Sequence, residues 1–149
     1  RVGGSPIRSH SSGTTVGLAL LPDASAGPGV SDRIAGAVLL SGMYNLEPVR
    51  LSYVNDALRL DESAALRNSP IRRLPARLPE TVVARGGNET EEYVRQHDRM
   101  VTALRSRAVV TEVVADRRDH FDLPYDLGVP GTGLGDAVLA QMRLEGRTA

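Results

Sequence analysis

The chain has 149 residues, 41% of them hydrophobic, enough to bury one core, so a single domain over residues 1–149 is expected. Its 18 basic residues, all arginine, balance 18 acidic ones and lie scattered, which leaves no electrostatic footprint for a nucleic acid or an anionic membrane surface. There is no cysteine, and the three histidines, His10, His97 and His120, share no metal-ligand spacing along the chain, so no disulfide, metal or cofactor is expected.

The arginine-led start lacks the apolar core of a signal peptide, and no apolar run approaches the ~20 residues of a membrane span, so a cytoplasmic protein is expected. Ser9-His10-Ser11-Ser12-Gly13, followed by the small and apolar run Thr14 to Leu21, reads as a nucleophile elbow. In such a turn from strand to helix, Ser11 is lifted clear of the sheet and small flanking residues prevent collision. The same residues also suit a plain serine N-cap. Asp23 to Asp32 is an aperiodic mixture of Gly, Ala, Ser and Pro, a surface loop.

Arg33 to Gly42 is a continuous apolar run closed by glycine, the pattern of a strand buried on both faces. Met43 to Pro79 carries short amphipathic pieces around Leu46 to Leu58 and Glu62 to Arg67, broken by Pro48, Pro70, Pro75 and Pro79. It is too long for an ordinary loop and reads either as a helical excursion beside a site or as a spacer. Thr81 to Arg85, closed by Gly86-Gly87, is a second strand, and Ala108 to Ala115, rich in β-branched residues, a third. Between them, Glu91 to Arg107 places Tyr93, Val94, His97, Met100, Val101 and Leu104 at helical spacing. Strand, helix and strand make a βαβ unit, so the fold class is α/β with a parallel sheet and flanking helices. Leu134 to Leu144 closes the chain as a helix, with Gly146 as its stop.

Reactive groups gather at the carboxyl ends of parallel strands. Ser11 ends the first unit, Gly86-Gly87-Asn88-Glu89 follows the second strand run, and Asp119-His120-Phe121 follows the third. His120 is the candidate general base, with a surface histidine as the alternative. His10 reads as a pocket-mouth residue or a simple neighbour of the elbow. Tyr44 and Tyr53 read as stacking surfaces for an aromatic substrate or as packing. His97 reads as a core or boundary histidine, and Asn55 and Asp56 as turn caps.

The run Ala37 to Asp61 closely resembles the stretch after the elbow in bacterial kynurenine formamidases, also called arylformamidases, of the α/β-hydrolase fold. The likeness continues through Asn68-Ser69-Pro70, Gly86 to Gln96, His120-Phe121-Asp122 and Asp136 to Leu139. The resemblance implies an α/β-hydrolase domain that hydrolyses the formamide of N-formylkynurenine, or a carboxylic ester, with Ser11 as nucleophile and His120 as base. Three features depart from the family. Its acid is an aspartate, and the aligned residue here is Asn88, with Glu89, Asp116 and Asp119 as substitutes. In a serine protease, aspartate to asparagine costs ~10⁴ in turnover. The oxyanion hole needs the Ser12 N–H and a second donor from an earlier His-Gly-Gly-type loop, which this chain lacks. The strand feeding the elbow is reduced to Pro6-Ile7-Arg8. The chain therefore reads as the C-terminal portion of a hydrolase with an open sheet edge, which calls for a missing N-terminal half or a homo-oligomer. Three readings follow: a serine hydrolase acting on an aryl formamide or ester, a non-catalytic relic that binds a ligand, and an interaction module.

Overall fold

The computed structural model describes residues 7–10 and 34–142. Four strands form one parallel sheet in chain order: β1 (Ile7–His10), β2 (Gly36–Leu40), β3 (Glu80–Gly86) and β4 (Val110–Ala115). The register pairs Ile7 with Ala37, Val38 with Val82 and Ala84 with Val113. β1 is the reduced strand expected before the elbow, and it aligns beside β2 over all four residues. β2 is shorter than the apolar run that encodes it. Ser41 turns to a φ of 43°, a left-handed conformation that ends the extended backbone.

Alternation along β2 and β3 divides the core between two faces. Leu39 and Val83 point to one side, where they meet Met100, Val101 and Leu104 of α4 (Glu91–Leu104). Val38, Leu40, Val82 and Ala84 point to the other, against Leu134 and Val138 of α5 (Gly133–Gln141). A strand buried on both faces needs apolar residues at every position, which is why β2 reads as Gly-Ala-Val-Leu-Leu without polar alternation. α4 opens with Glu91 and Glu92, which complement the helix dipole. It ends at Leu104, three residues before the expected Arg107, because the Arg107 and Ala108 N–H groups both return to the Leu104 carbonyl as the chain turns into β4. The Thr132 side chain caps α5 by accepting from the Gly135 N–H at 3.0 Å.

The stretch 43–79 holds three short helices, α1 (Glu47–Arg50), α2 (Asn55–Leu58) and α3 (Glu62–Asn68), then a 3₁₀ turn over Pro70–Arg72. Pro48 starts α1 rather than breaking the segment, since a proline in the first turn forfeits no helical bond. Asn55 folds the next turn onto itself, its side chain donating to the Leu60 carbonyl and accepting from the Leu60 N–H. Asp61 caps α3 through the Ala64 N–H at 2.6 Å. Among the described residues no helix is long and apolar enough to cross a membrane.

Candidate active site

A parallel sheet delivers all its carboxyl ends to one side, so the residues after Leu40, Gly86 and Ala115 share that edge. His10 closes β1, and Ser11 and Ser12 lie outside the described residues. The described half of the site is built from three segments: Ser41 after β2, Gly86 to Glu89 after β3, and Asp116 to Asp122 after β4.

Glu89 is the carboxylate that turns inward. Its Oε1 accepts from the Gly86 N–H at 3.0 Å and from the Ser41 hydroxyl. Its Oε2 is shielded from solvent and accepts no hydrogen bond among the described residues. The buried tyrosine hydroxyl of Tyr44 and the half-buried one of Tyr93 both lie in its field. Burial pushes each above the usual tyrosine range, and the Glu89 charge pushes the same way. An anionic carboxylate with one oxygen held and the other open is an acceptor suited to an imidazole N–H. Glu89 also lines an open groove of about 310 Å³ along α4, with Glu91, Val94, Arg95, Asp98 and Arg99.

The segment bearing His120 passes directly over the end of β3. A Cβ at Gly86 would lie 2.2 Å from the Arg118 carbonyl oxygen, and one at Gly87 2.6 Å from that of Asp116, so only glycine admits this crossing. The contact is stitched by backbone bonds, Gly87 N–H to Ala115 O at 2.8 Å and Asn88 N–H to Arg118 O at 3.0 Å. Asp119 and Asp122 then cap one tight turn reciprocally. The Asp119 carboxylate accepts from the Phe121 and Asp122 N–H groups, while Asp122 accepts from the Asp119 N–H at 2.6 Å. Those backbone donors hold the Asp119 carboxyl below the usual range. Arg118 anchors the far side through two bonds to buried Asp126, at 3.0 and 2.5 Å. His120, half-buried, sits on this turn with its ring 4.5 Å from that of Tyr93, tilted 34°, and 5.3 Å from that of Phe121, edge-on at 90°.

The other sequence-derived candidates fall apart from this cluster. Asn88 is exposed, and its bond in the site is the backbone N–H to Arg118. Tyr44 is 1% exposed and packs in the core with Leu39 and Met100, so its ring cannot stack on a substrate. Tyr53 is 86% exposed on the excursion. His97 is a core histidine as expected, its Nε2 3.2 Å from Glu112. The fold brings His97, Asp98 and Glu112 within 4.8 Å of one another, a grouping invisible in linear spacing. Arg105 donates to Glu112 at 2.9 Å and already offsets its charge. Ser41 and Tyr93 escaped sequence reasoning as site residues. The signals available were a polar residue ending an otherwise apolar strand, and an aromatic in the first turn of a helix that starts beside an acid.

No protein-family model matches the chain. Kynurenine formamidases of Danio rerio and Salmo salar are each 32% identical to it, over 120 and 121 residues, or 76% of this chain and 41% of each relative. Among solved structures, a Silicibacter protein to which thioesterase activity has been ascribed superposes with a TM-score of 0.77 at 24% identity, over 91% of this chain and 50% of that one. An S-formylglutathione hydrolase of Agrobacterium tumefaciens gives 0.62 at 17% identity, over 96% of this chain and 50% of that one. The chain is therefore similar to kynurenine formamidases, spans 41% of the length of the curated relatives it matches, and has the α/β-hydrolase type of fold.

Proposed function

We propose that the chain supplies the nucleophile, base and acid of a serine hydrolase acting on an aryl formamide such as N-formylkynurenine, or on a carboxylic ester. Ser11 attacks the formyl carbonyl, and His120 takes the hydroxyl proton and returns it to the departing nitrogen. Water then cleaves the formyl-serine ester and releases formate. Glu89, rather than Asn88, orients His120 and balances the imidazolium. The Ser12 N–H supports the oxyanion, and the second donor is assigned to a further segment or a second copy of the chain. The observation that carries this reading is the gathering of Glu89, Tyr93 and His120 at the carboxyl ends of β3 and β4, with one Glu89 oxygen shielded and unengaged among the described residues. His10 and Tyr53 remain candidate substrate contacts.

Hydrolysis of N-formylkynurenine and of a simple aryl ester, measured for the chain and for Ser11→Ala, Glu89→Gln and Asn88→Ala, tests it. Ser11→Ala abolishes turnover, Glu89→Gln lowers kcat on the order of 10³–10⁴-fold, and Asn88→Ala leaves it within a few-fold. Equal loss in Asn88→Ala and Glu89→Gln would return the acid role to position 88. A second reading, a non-catalytic ligand-binding or interaction module, is favoured by the exposed Leu51, Tyr53, Val54 and Leu58 on the excursion. A folded chain inert toward both substrates selects that reading.

A further inference from the structure

We propose that Tyr93 is a positioning residue, whose ring fixes the plane of the His120 imidazole and favours its protonated form. The part this plays in hydrolysis rests on His120 being the base; the ring contact itself does not.

Tyr93 is the fixed wall of the pair. It sits in the first turn of α4, one turn before Gln96, and Gln96 is buried and tied to the excursion on both sides. The Gln96 oxygen accepts from the Tyr44 and Asn45 N–H groups at 3.1 and 2.8 Å, and its amide donates to the Asn45 carbonyl at 2.9 Å. One turn beyond, Met100, Val101 and Leu104 lock the same helix onto the sheet. Tyr93 is thereby carried on a helix tied to the excursion at Gln96 and packed on the sheet one turn further on. Phe121, which meets the imidazole edge-on, is 82% exposed and follows His120 in the same turn, so it offers no wall independent of that turn.

A ring centroid 4.5 Å from an imidazole at 34° lies well inside the ~6 Å over which a π face attracts a cation. The imidazolium formed when a base takes a proton is such a cation, and it forms here in a half-buried setting where the attraction is poorly screened. Among the described residues, the Asp119 charge acts on His120, Arg118 and Asp122 pair on the same turn, and Glu89, after β3, acts on Tyr93. Substitution of Tyr93 leaves all the carboxylates in place, so the ring's contribution is separable from theirs.

The test is an NMR titration of the His120 ring, assigned with His120→Gln, in the full chain and in three variants. Tyr93→Phe keeps the π face and leaves the His120 pKa unchanged. Tyr93→Leu lowers it by roughly half a unit, the shift that corresponds to losing a partly exposed cation–π contact. Pentafluorophenylalanine at position 93 keeps shape and packing while draining the π face, and lowers it likewise, which preserves the reading should Tyr93→Leu fail to fold. An unchanged pKa with the fluorinated ring overturns the proposal, as does a fall with Tyr93→Phe equal to that with leucine, which would assign the effect to the hydroxyl. In an active chain the acid limb of kcat/KM against pH moves with the NMR value. In an inactive one the NMR shift persists, so failure of the hydrolase reading and failure of this one are told apart.

Discussion

Glu89 and Asn88 are one residue apart and their side chains take opposite directions, one into the Ser41 and Gly86 donors and the other into solvent. What decides between them is the turn at Gly86-Gly87, whose geometry is imposed by the strand-end crossing above it. Gly86→Ala tests that constraint. Its Cβ meets backbone, 2.2 Å from Arg118 O and 2.7 Å from Arg118 C, so the segment bearing His120 must shift. We expect a loss of about 1–3 kcal/mol in urea unfolding and a fall in kcat out of proportion to it. Gly36→Ala is the control, since there the clash is with the flexible end of Gln141 and the cost is smaller. Sequence spacing placed Asn88 and Glu89 after one strand and His120 after the next, as the fold has them. It could not tell which of Asn88 and Glu89 turns inward, because the direction of a side chain after Gly-Gly depends on a contact with Asp116 and Arg118, far along the chain.

At the scale of elements, α4 was legible because its apolar residues recur at the helical period, and β2 and β3 because strands buried on two faces cannot alternate. The start of α1 was misread as a break, since proline is compatible with the first turn of a helix and incompatible with its interior. His97 couples α4 to β4. Burial lowers its pKa below the ordinary 6.5, with the Glu112 hydrogen bond and charge opposing. A histidine whose pKa is lower folded than unfolded binds fewer protons in the native state, so stability rises with pH across that interval. It is complete above 6.5 and lost as pH falls from there through the folded value. Thermal midpoints measured across pH 5–8 should decline below 6.5 in the parent chain, and less steeply in His97→Gln. Identical slopes would place the dependence on other groups.

At the scale of the whole molecule, the sheet sorts its side chains into two apolar faces, against which α4 and α5 pack among the described residues, and this architecture was readable from three strand runs and two amphipathic stretches. Ser11 and the elbow lie outside the described residues, and that turn is read from the motif Ser9 to Gly13 rather than from periodicity. The excursion was recognised by its length, but its exposed Leu51, Tyr53 and Leu58 carry no sequence mark that separates them from core residues of the same type. The backbone stitching of the segments that bear Glu89 and His120 has a kinetic meaning of its own. The amides of Gly87 and Asn88 donate across from the end of β3 to the Ala115 and Arg118 carbonyls at 2.8 and 3.0 Å, and the Arg118 amide closes the turn after β4 on Ala115 O at 2.9 Å. Exchange of the Gly87 and Asn88 amides should require that the ends of β3 and β4 part. Their exchange should therefore follow the opening of β3 from β4, not the fraying of a loop, and the segments that bear Glu89 and His120 should lose their order together in one event.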